Sequence, residues 1–339
     1  SGAGGLYCYD RNAHQFNYNG GRLTGKFYRF ELFYHNEQLQ QFKNFRITRG
    51  NNNRIHIAYY DTLSASVKYS TVVSGEVGYA TPTHEIPWIN LDGGRDSDDS
   101  YSYTGGSSAV LADGVGGQFE DGLERAGGTA EYCAVALDGS GKPVVVYADV
   151  DSGTLRLARA SKVNPTGASD WKVQKVLTEA DDPNIGIAEG YFTAKFDSEG
   201  KLHIAFRNTR GQLCYVKSKN ANAGANAYTF DKSVIIDDAG SLADLSLDGT
   251  TPYISYMSKV NAYDGIRIAR YDDNLVTKWK NDGTFEEKGA WNIMTAGMKN
   301  RASNVRTCIA VAPNNTLGWK AAVGYTPGNK YRVVKYIGE

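Results

Sequence analysis

A strand–turn–strand pattern recurs five times along the chain, and it constrains the fold more than any other feature. Each copy is a short apolar and aromatic run, then a polar turn, then a second such run. The copies join residues 54–61 with 65–70, 142–149 with 153–158, 201–208 with 211–216, 251–258 with 265–270, and 320–325 with 330–335. Short apolar runs separated by turn residues are typical of antiparallel hairpins. The chain is therefore predicted to consist of repeated β-hairpins.

Most of these hairpins are extended by one strand on each side. Strand-like runs precede them at 132–138, 192–197, 242–248 and 307–312, and follow them at 86–90, 171–177, 230–236 and 291–294. We name the four strands A, B, C and D in chain order. A four-stranded antiparallel unit repeated around a ring is the blade of a β-propeller. The predicted fold is all-β, a single β-propeller of five to seven such blades, with five as the best count.

The whole chain, 1–339, is predicted to form one domain. Residues 43–339 hold the repeats, with a long loop insertion at 91–128, and residues 1–42 form an N-terminal segment. The last blade stops at its strand C, in residues 332–336, so its outer strand must come from elsewhere. Because an uncovered edge strand invites aggregation, the N-terminal segment is predicted to supply a strand that closes the ring.

The stretch Leu137–Asp149 resembles a repeat common in secreted and surface-exposed bacterial proteins, of the form D-x-x-G-x-h-h-h-a-Y-x-D, then G-x-L-x-Y-a, then a Trp strand. This resemblance implies a propeller in an extracytoplasmic setting, either secreted, periplasmic or attached to the cell surface as a lipoprotein. The chain is similar to sialidase propellers only loosely, because their S-x-D-x-G-x-T-W signature is absent. A fold of this kind hosts many functions, so the resemblance does not specify an activity.

Charge and hydropathy exclude two classes of partner. The 37 basic and 37 acidic residues cancel, and a neutral chain has no general attraction for nucleic acid. No apolar run approaches the roughly 18 residues of a membrane-spanning helix. The predicted partner is a protein or a glycan, and the sequence leaves the oligomeric state open.

Candidate ligand-binding residues cluster where the B–C turns and the D-to-A connections lie, since these loops share one end of the ring and are the longer ones. Function usually resides on long loops of a rigid scaffold. The candidates are Arg95, Glu131, Asp149, Glu189, Arg207, Asn208, Tyr263 and Arg301. The alternative interpretation is that polar residues such as Asp149 only form turns.

Four acidic residues in the long loop, Asp92, Asp96, Asp98 and Asp99, are a candidate calcium site. Calcium prefers oxygen ligands, although the spacing does not fit a helix–loop–helix calcium loop. A solvated acidic loop is the alternative. No other cofactor is predicted.

Two repeated residue types are predicted to be structural. His56 and His203 occupy the same place in strand B, which favours a packing role over catalysis. Trp88, Trp171 and Trp291 lie on D strands and are predicted to pack between blades.

The predicted function is a non-catalytic, extracellular or surface-attached binding propeller that recognises a protein or glycan. The alternative is a glycosidase-like, carbohydrate-active enzyme with carboxylates at the channel mouth. That chemistry needs two carboxylates about 5–9.5 Å apart. Glu131, Glu189 and Asp149 are the candidates, but no motif singles them out, so whether the chain is an enzyme stays open, with the balance against it.

Overall fold

The computed structural model describes residues 6–9, 18–19, 22–23, 27–30, 42–50, 54–61, 66–73, 88–93, 129–149, 154–165, 170–177, 182, 192–221, 227–260, 263–279, 285–298, 307–312, 321–325 and 332–336. All of its regular elements of more than one residue are β-strands. Within these residues there is no helix with the length and apolarity that a membrane crossing requires.

Five antiparallel sheets follow one another along the chain, each with its strands in sequence order. Blade 1 contains β5 (Phe42–Arg49), β6 (Arg54–Asp61), β7 (Ser66–Val73) and β8 (Trp88–Gly93). Blade 2 contains β9 (Thr129–Leu137), β10 (Pro143–Asp149), β11 (Thr154–Ala160) and β12 (Trp171–Leu177). Blade 3 contains β13 (Thr193–Phe196), β14 (Leu202–Arg207), β15 (Leu213–Lys217) and β16 (Val234–Asp237).

Blade 4 contains β17 (Gly240–Asp248), β18 (Thr251–Val260), β19 (Tyr263–Trp279) and β20 (Phe285–Met298). Blade 5 has three strands, β21 (Thr307–Val311), β22 (Ala321–Tyr325) and β23 (Arg332–Tyr336). Strand A of each blade lies beside strand A of the next, from β5 through β9, β13 and β17 to β21. The A strands are thus the inner strands of the ring, and the predicted all-β propeller is confirmed, with five sheets in the repeat region.

The N-terminal segment contributes four short strands, β1 (Leu6–Tyr9), β2 (Tyr18–Asn19), β3 (Arg22–Leu23) and β4 (Phe27–Phe30). β1 pairs with β4 and β2 pairs with β3. No pairing between described strands joins this segment to β23. Ring closure by the N-terminal segment therefore stays a prediction, as does the division into segments.

The core lies between successive sheets. One apolar cluster fills each of the four interfaces from blade 1 to blade 5. The A–B turns are tight: Gly141 and Gly200 have φ of 79° and 78°, a left-handed conformation that glycine adopts without steric cost. In both turns an Asp side chain, Asp138 or Asp197, accepts backbone N–H bonds two and four residues on. The predicted hairpin turns at these positions are confirmed.

The C–D hairpin of blade 4 is longer than its sequence pattern indicates. Residues 291–294 predict a short strand D, whereas β20 runs over 14 residues and β19 over 17. Register shifts between Asp272 and Val276 and again near Lys278 let this hairpin continue beyond the blade. The polar residues of this extension hide its strand character in the sequence.

Candidate active site at the inner strands

The predicted site residues are only partly described. Glu131 lies within β9, Asp149 ends β10, Arg207 ends β14 and Tyr263 begins β19, all near the end of the ring with the B–C turns. We call this end the upper face. Arg95, Glu189, Arg301, Asp96, Asp98 and Asp99 lie outside the described residues.

The inner strands place one layer of side chains at matching positions around the ring. Each member pairs in register with the residue just before the recurring aromatic of strand B. The members, from blade 1 to blade 5, are Arg46, Ala134, Thr193, Asp244 and Cys308. Three of the five are small, and Asp244 is the one acid in this layer.

Asp244 joins the inner strands of three blades. Its Oδ2 accepts the Ile309 backbone N–H of blade 5 at 2.9 Å, and its Oδ1 accepts the Leu245 N–H at 3.0 Å. The Thr193 hydroxyl of blade 3 lies 3.4 Å from Asp244 Oδ1 and accepts the Leu245 N–H at 3.2 Å. These bonds satisfy backbone groups on strand edges, and they hold a half-buried carboxylate in a fixed position.

Three inner strands change register towards the upper face. The breaks lie between Lys43 and Arg46 in β5, between Ser241 and Asp244 in β17, and in β9 opposite Tyr147–Asp149. Glu131 lies in the broken part of β9. β-bulges redirect side chains and are over-represented beside active sites. The backbone is therefore irregular where the candidate carboxylates are attached.

A second carboxylate cluster lies between blades 3 and 4 at the upper face. Asp237 Oδ2 accepts the Tyr256 hydroxyl and Arg267 Nη1, both at 2.8 Å. Burial, followed by the charge of Asp237, raises the pKa of Tyr256 well above its usual range, so the hydroxyl keeps its proton and donates. Asp237 and Tyr256 are both buried, and the cluster ties strand D of one blade to strands B and C of the next.

The two repeated histidines lie at the opposite end, near the A–B turns. His203 Nε2 is 2.9 Å from Asp197 Oδ2, and its Nδ1 is 2.6 Å from the Tyr215 hydroxyl. Because an ionised carboxylate only accepts, Nε2 carries the proton and Tyr215 donates to Nδ1. Burial lowers the pKa of His203 to about 4 despite the opposing hydrogen bond to Asp197.

His56 makes the matching bond in blade 1, 2.6 Å from its Nδ1 to the Tyr69 hydroxyl. Burial, followed by the charge of Arg54, lowers its pKa to about 4. Tyr69 then packs edge-on against Trp171, and Tyr215 packs edge-on against Trp291, at 4.8 and 5.0 Å. The structural role predicted for both histidines is confirmed, as is inter-blade packing for these two tryptophans.

Asn208 is committed to its own turn. Its Oδ1 accepts the N–H groups of Arg210 and Gln212 at 3.1 and 2.9 Å, and its Nδ2 donates to Gln212 Oε1 at 2.8 Å. The residue is buried. Its amide therefore forms the B–C turn of blade 3, and a ligand contact by Asn208 stays a prediction.

Metal binding has no support from the described side chains, among which no three His, Cys, Asp or Glu come together as a metal site. Asp92 lies in β8, paired with Val67, and the other predicted calcium ligands lie outside the described residues. Calcium binding thus stays a prediction.

The sequence interpretation missed Asp244, although a signal was present. In the run Leu-Ala-Asp-Leu-Ser-Leu, 242–247, an acid stands in an inner strand where other blades have Ala134, Thr193 or Cys308. It also missed Asp237, Tyr256 and Arg267, because these residues are far apart in sequence and meet only between two blades.

Comparison with known proteins adds solved structures but no family. No protein-family model matches the chain, and no curated protein matches its sequence. The Hadza microbial sialidase Hz136 matches at 10% identity and a TM-score of 0.44, over 86% of this chain and 57% of the length of that protein.

Two further matches are glycoside-acting proteins. α-L-Arabinofuranosidase from Lactobacillus brevis matches at 10% identity and a TM-score of 0.42, over 87% of this chain and 90% of its own. α-L-Arabinanase from Cellvibrio cellulosa, complexed with arabinohexaose, matches at 11% identity and a TM-score of 0.39, over 87% of this chain and 92% of its own. These similarities concern the fold alone. The loosely sialidase-like character holds at that level, while the bacterial repeat family gains no support from a family model.

The comparisons correct the predicted function. Four of the matching structures are described as arabinofuranosidases or arabinanases, which stands against a non-catalytic binding propeller.

Proposed function

We propose that the chain is a glycosidase-like enzyme whose reacting carboxylates lie on the inner strands of the propeller. The observation that carries this proposal is Asp244, a half-buried acid on inner strand β17 in a layer that otherwise holds small side chains and Arg46. The ligand class is a glycan.

Asp244 is assigned the role of base or nucleophile. Two backbone N–H groups and the Thr193 hydroxyl fix its oxygens. A reacting group that is held in position has less freedom to lose when the substrate binds. A carboxylate has about four acceptor positions, so these contacts leave one for a substrate or a water molecule.

Glycoside hydrolysis needs a second carboxyl group as the acid. Glu131, in the irregular part of β9, and Glu189, which precedes β13 in the sequence, are the candidates, both predicted from the sequence alone. Separations near 5–5.5 Å would give retention of anomeric configuration, and about 6.5–9.5 Å would give inversion. The extracytoplasmic location remains part of the proposal.

The test is hydrolysis of a panel of 4-nitrophenyl glycosides that covers neutral pentosides, neutral hexosides and uronides. The variants are D244N, E131Q and E189Q. D231N is the matched control, because Asp231 is 75% exposed and pairs only with the exposed Lys219 among the described residues. We expect D244N and one of the Glu variants to lower kcat by about 10²- to 10⁴-fold, and D231N to leave it unchanged.

D244N keeps an acceptor oxygen for the Ile309 N–H, and the Leu245 N–H keeps the Thr193 hydroxyl as its acceptor, so thermal unfolding should show that the variant still folds. Absence of hydrolysis across the whole panel, or an undiminished rate in folded D244N, would overturn the proposal.

A further inference from the structure

Arg207 is a basic group at the upper face whose charge the described residues do not neutralise. It ends β14, and no acidic side chain in the described part of the chain pairs with it. Its Nε is buried without a hydrogen-bond partner there. A charged guanidinium without an acidic partner is available to an anionic group from outside the chain.

The nearest acids along the chain at this end of blade 3 are already engaged. Asp237 accepts bonds from Tyr256 and Arg267, and Asp238 accepts Gln212 Nε2 at 3.0 Å. Neither is bonded to Arg207, although Asp237 pairs with Leu213, the residue that pairs with Arg207. The positive charge is therefore not part of a structural ion pair.

The Arg207 guanidinium lies beside the B–C turn of blade 3. Asn208 closes this turn with its side chain, and Gly211 adopts a φ of +84° there. The guanidinium lies against Gly211, where an added Cβ would come within 3.1 Å of Nη2. A side chain at position 211 would thus displace it.

No other described blade has a charge at this position. The register places Tyr60 in blade 1, Ala148 in blade 2 and Met257 in blade 4 where blade 3 has Arg207. Because the other blades pack without an arginine at this position, the role of Arg207 is specific to blade 3.

We infer that Arg207 binds the carboxylate of an acidic glycan, so that the substrates of this protein carry uronic acid residues. The planar guanidinium donates two parallel N–H bonds to a carboxylate, a group that a neutral sugar lacks. The inference rests on the proposed function for the reaction, but the binding of an acidic sugar is independent of turnover.

The experiment measures Kd by calorimetric titration with trigalacturonate and with its carboxyl-reduced, neutral counterpart. The variants are R207M and the matched control R210M, which removes an exposed arginine from the same turn. We expect the folded wild-type protein and R210M to bind the acidic sugar about tenfold or more tightly than the neutral one, and R207M to lose that preference.

Equal affinity for the two sugars, loss of preference in R210M but not in R207M, or absence of binding to both would overturn the inference. The aryl-glycoside panel separates this result from the proposed function. Carboxylate-selective binding without hydrolysis would retain the role of Arg207 and refute the enzyme. Hydrolysis of neutral glycosides together with unselective binding would support the enzyme and refute the role of Arg207.

Discussion

The interfaces between blades 3 and 4 and between blades 2 and 3 use the same strand positions for different chemistry. Between blades 3 and 4 these positions hold Asp237, Tyr256 and Arg267, joined by hydrogen bonds. Between blades 2 and 3 the register places Leu177, Phe206 and Cys214 there. The three positions change together, because a buried charge is stable only with its partners present.

The two interfaces also differ at the opposite end of the ring, near the A–B turns. His203, Tyr215 and Trp291 form a polar and aromatic chain between blades 3 and 4. Val144, Leu157 and Phe230 occupy the corresponding positions between blades 2 and 3, within one apolar cluster. Polar contacts at one interface are thus replaced by aliphatic and aromatic packing at the other.

The interface between blades 1 and 2 repeats this polar and aromatic chain, so the same contacts recur after two blades. His56, Tyr69 and Trp171 match His203, Tyr215 and Trp291. The C strands carry the same period, with Leu-Arg-Leu-Ala-Arg at 155–159 and Ile-Arg-Ile-Ala-Arg at 266–270. Interface chemistry therefore alternates around this part of the ring.

The largest expected effect comes from breaking the polar cluster between blades 3 and 4. D237L should lower the free energy of unfolding by about 3–5 kcal/mol, because it leaves Tyr256 and Arg267 without their acceptor. The triple variant D237L/Y256F/R267C gives this interface the residue types found between blades 2 and 3 and should recover most of the lost stability. Urea unfolding measures both. A triple variant no more stable than D237L would show that the two interfaces are not interchangeable.

Acidification should weaken the polar interfaces and spare the apolar one. The pKa of His56 and His203 is lowered to about 4 in the folded protein, so the unfolded chain binds more protons as the pH falls below 6.5. Stability should fall between pH 6.5 and 4, by about 1–2 kcal/mol per histidine at pH 5.

The H203V variant copies Val144 of blade 2 and tests this assignment. It should be less stable than wild type at pH 7.5, and its stability should decrease less from pH 7.5 to pH 5. The pKa of Asp197 is also lowered, chiefly by its bond to His203 acting against burial, so its contribution is lost only at still lower pH. An unchanged pH dependence in H203V would contradict the assignment.

The smallest effect is expected at the aromatic contacts. W291F should cost about 0.5–1.5 kcal/mol, because phenylalanine keeps an edge-on contact with Tyr215 but loses area. W171F should behave alike through Tyr69. Urea midpoints measure both variants, and D231N is the surface control. A much larger loss in one of them would show that the two polar interfaces are not equivalent.

Hairpins and turns could be predicted because their signals are local. The pattern of Lys142–Asp149, with its apolar run bounded by turn residues, specifies a strand whatever surrounds it. The extended β19–β20 hairpin escaped prediction, since its polar residues gain strand pairing only from each other. Asp244 could have been predicted as an acid within an inner strand, whereas the cluster of Asp237 could not, because its partners are far away in sequence.

The sequence by itself determined the order of strands within a blade and the all-β class, because alternation of apolar residues and turn chemistry act over a few residues. The tertiary structure alone decided which side chains meet between blades. Asp237 bonds to Tyr256 and Arg267 across sheets that stack face to face. Asp244 contacts Thr193 and Ile309 in the same way. Hydrogen bonds and charges act over a few ångströms in space, so partners far apart in sequence are fixed only when the blades pack.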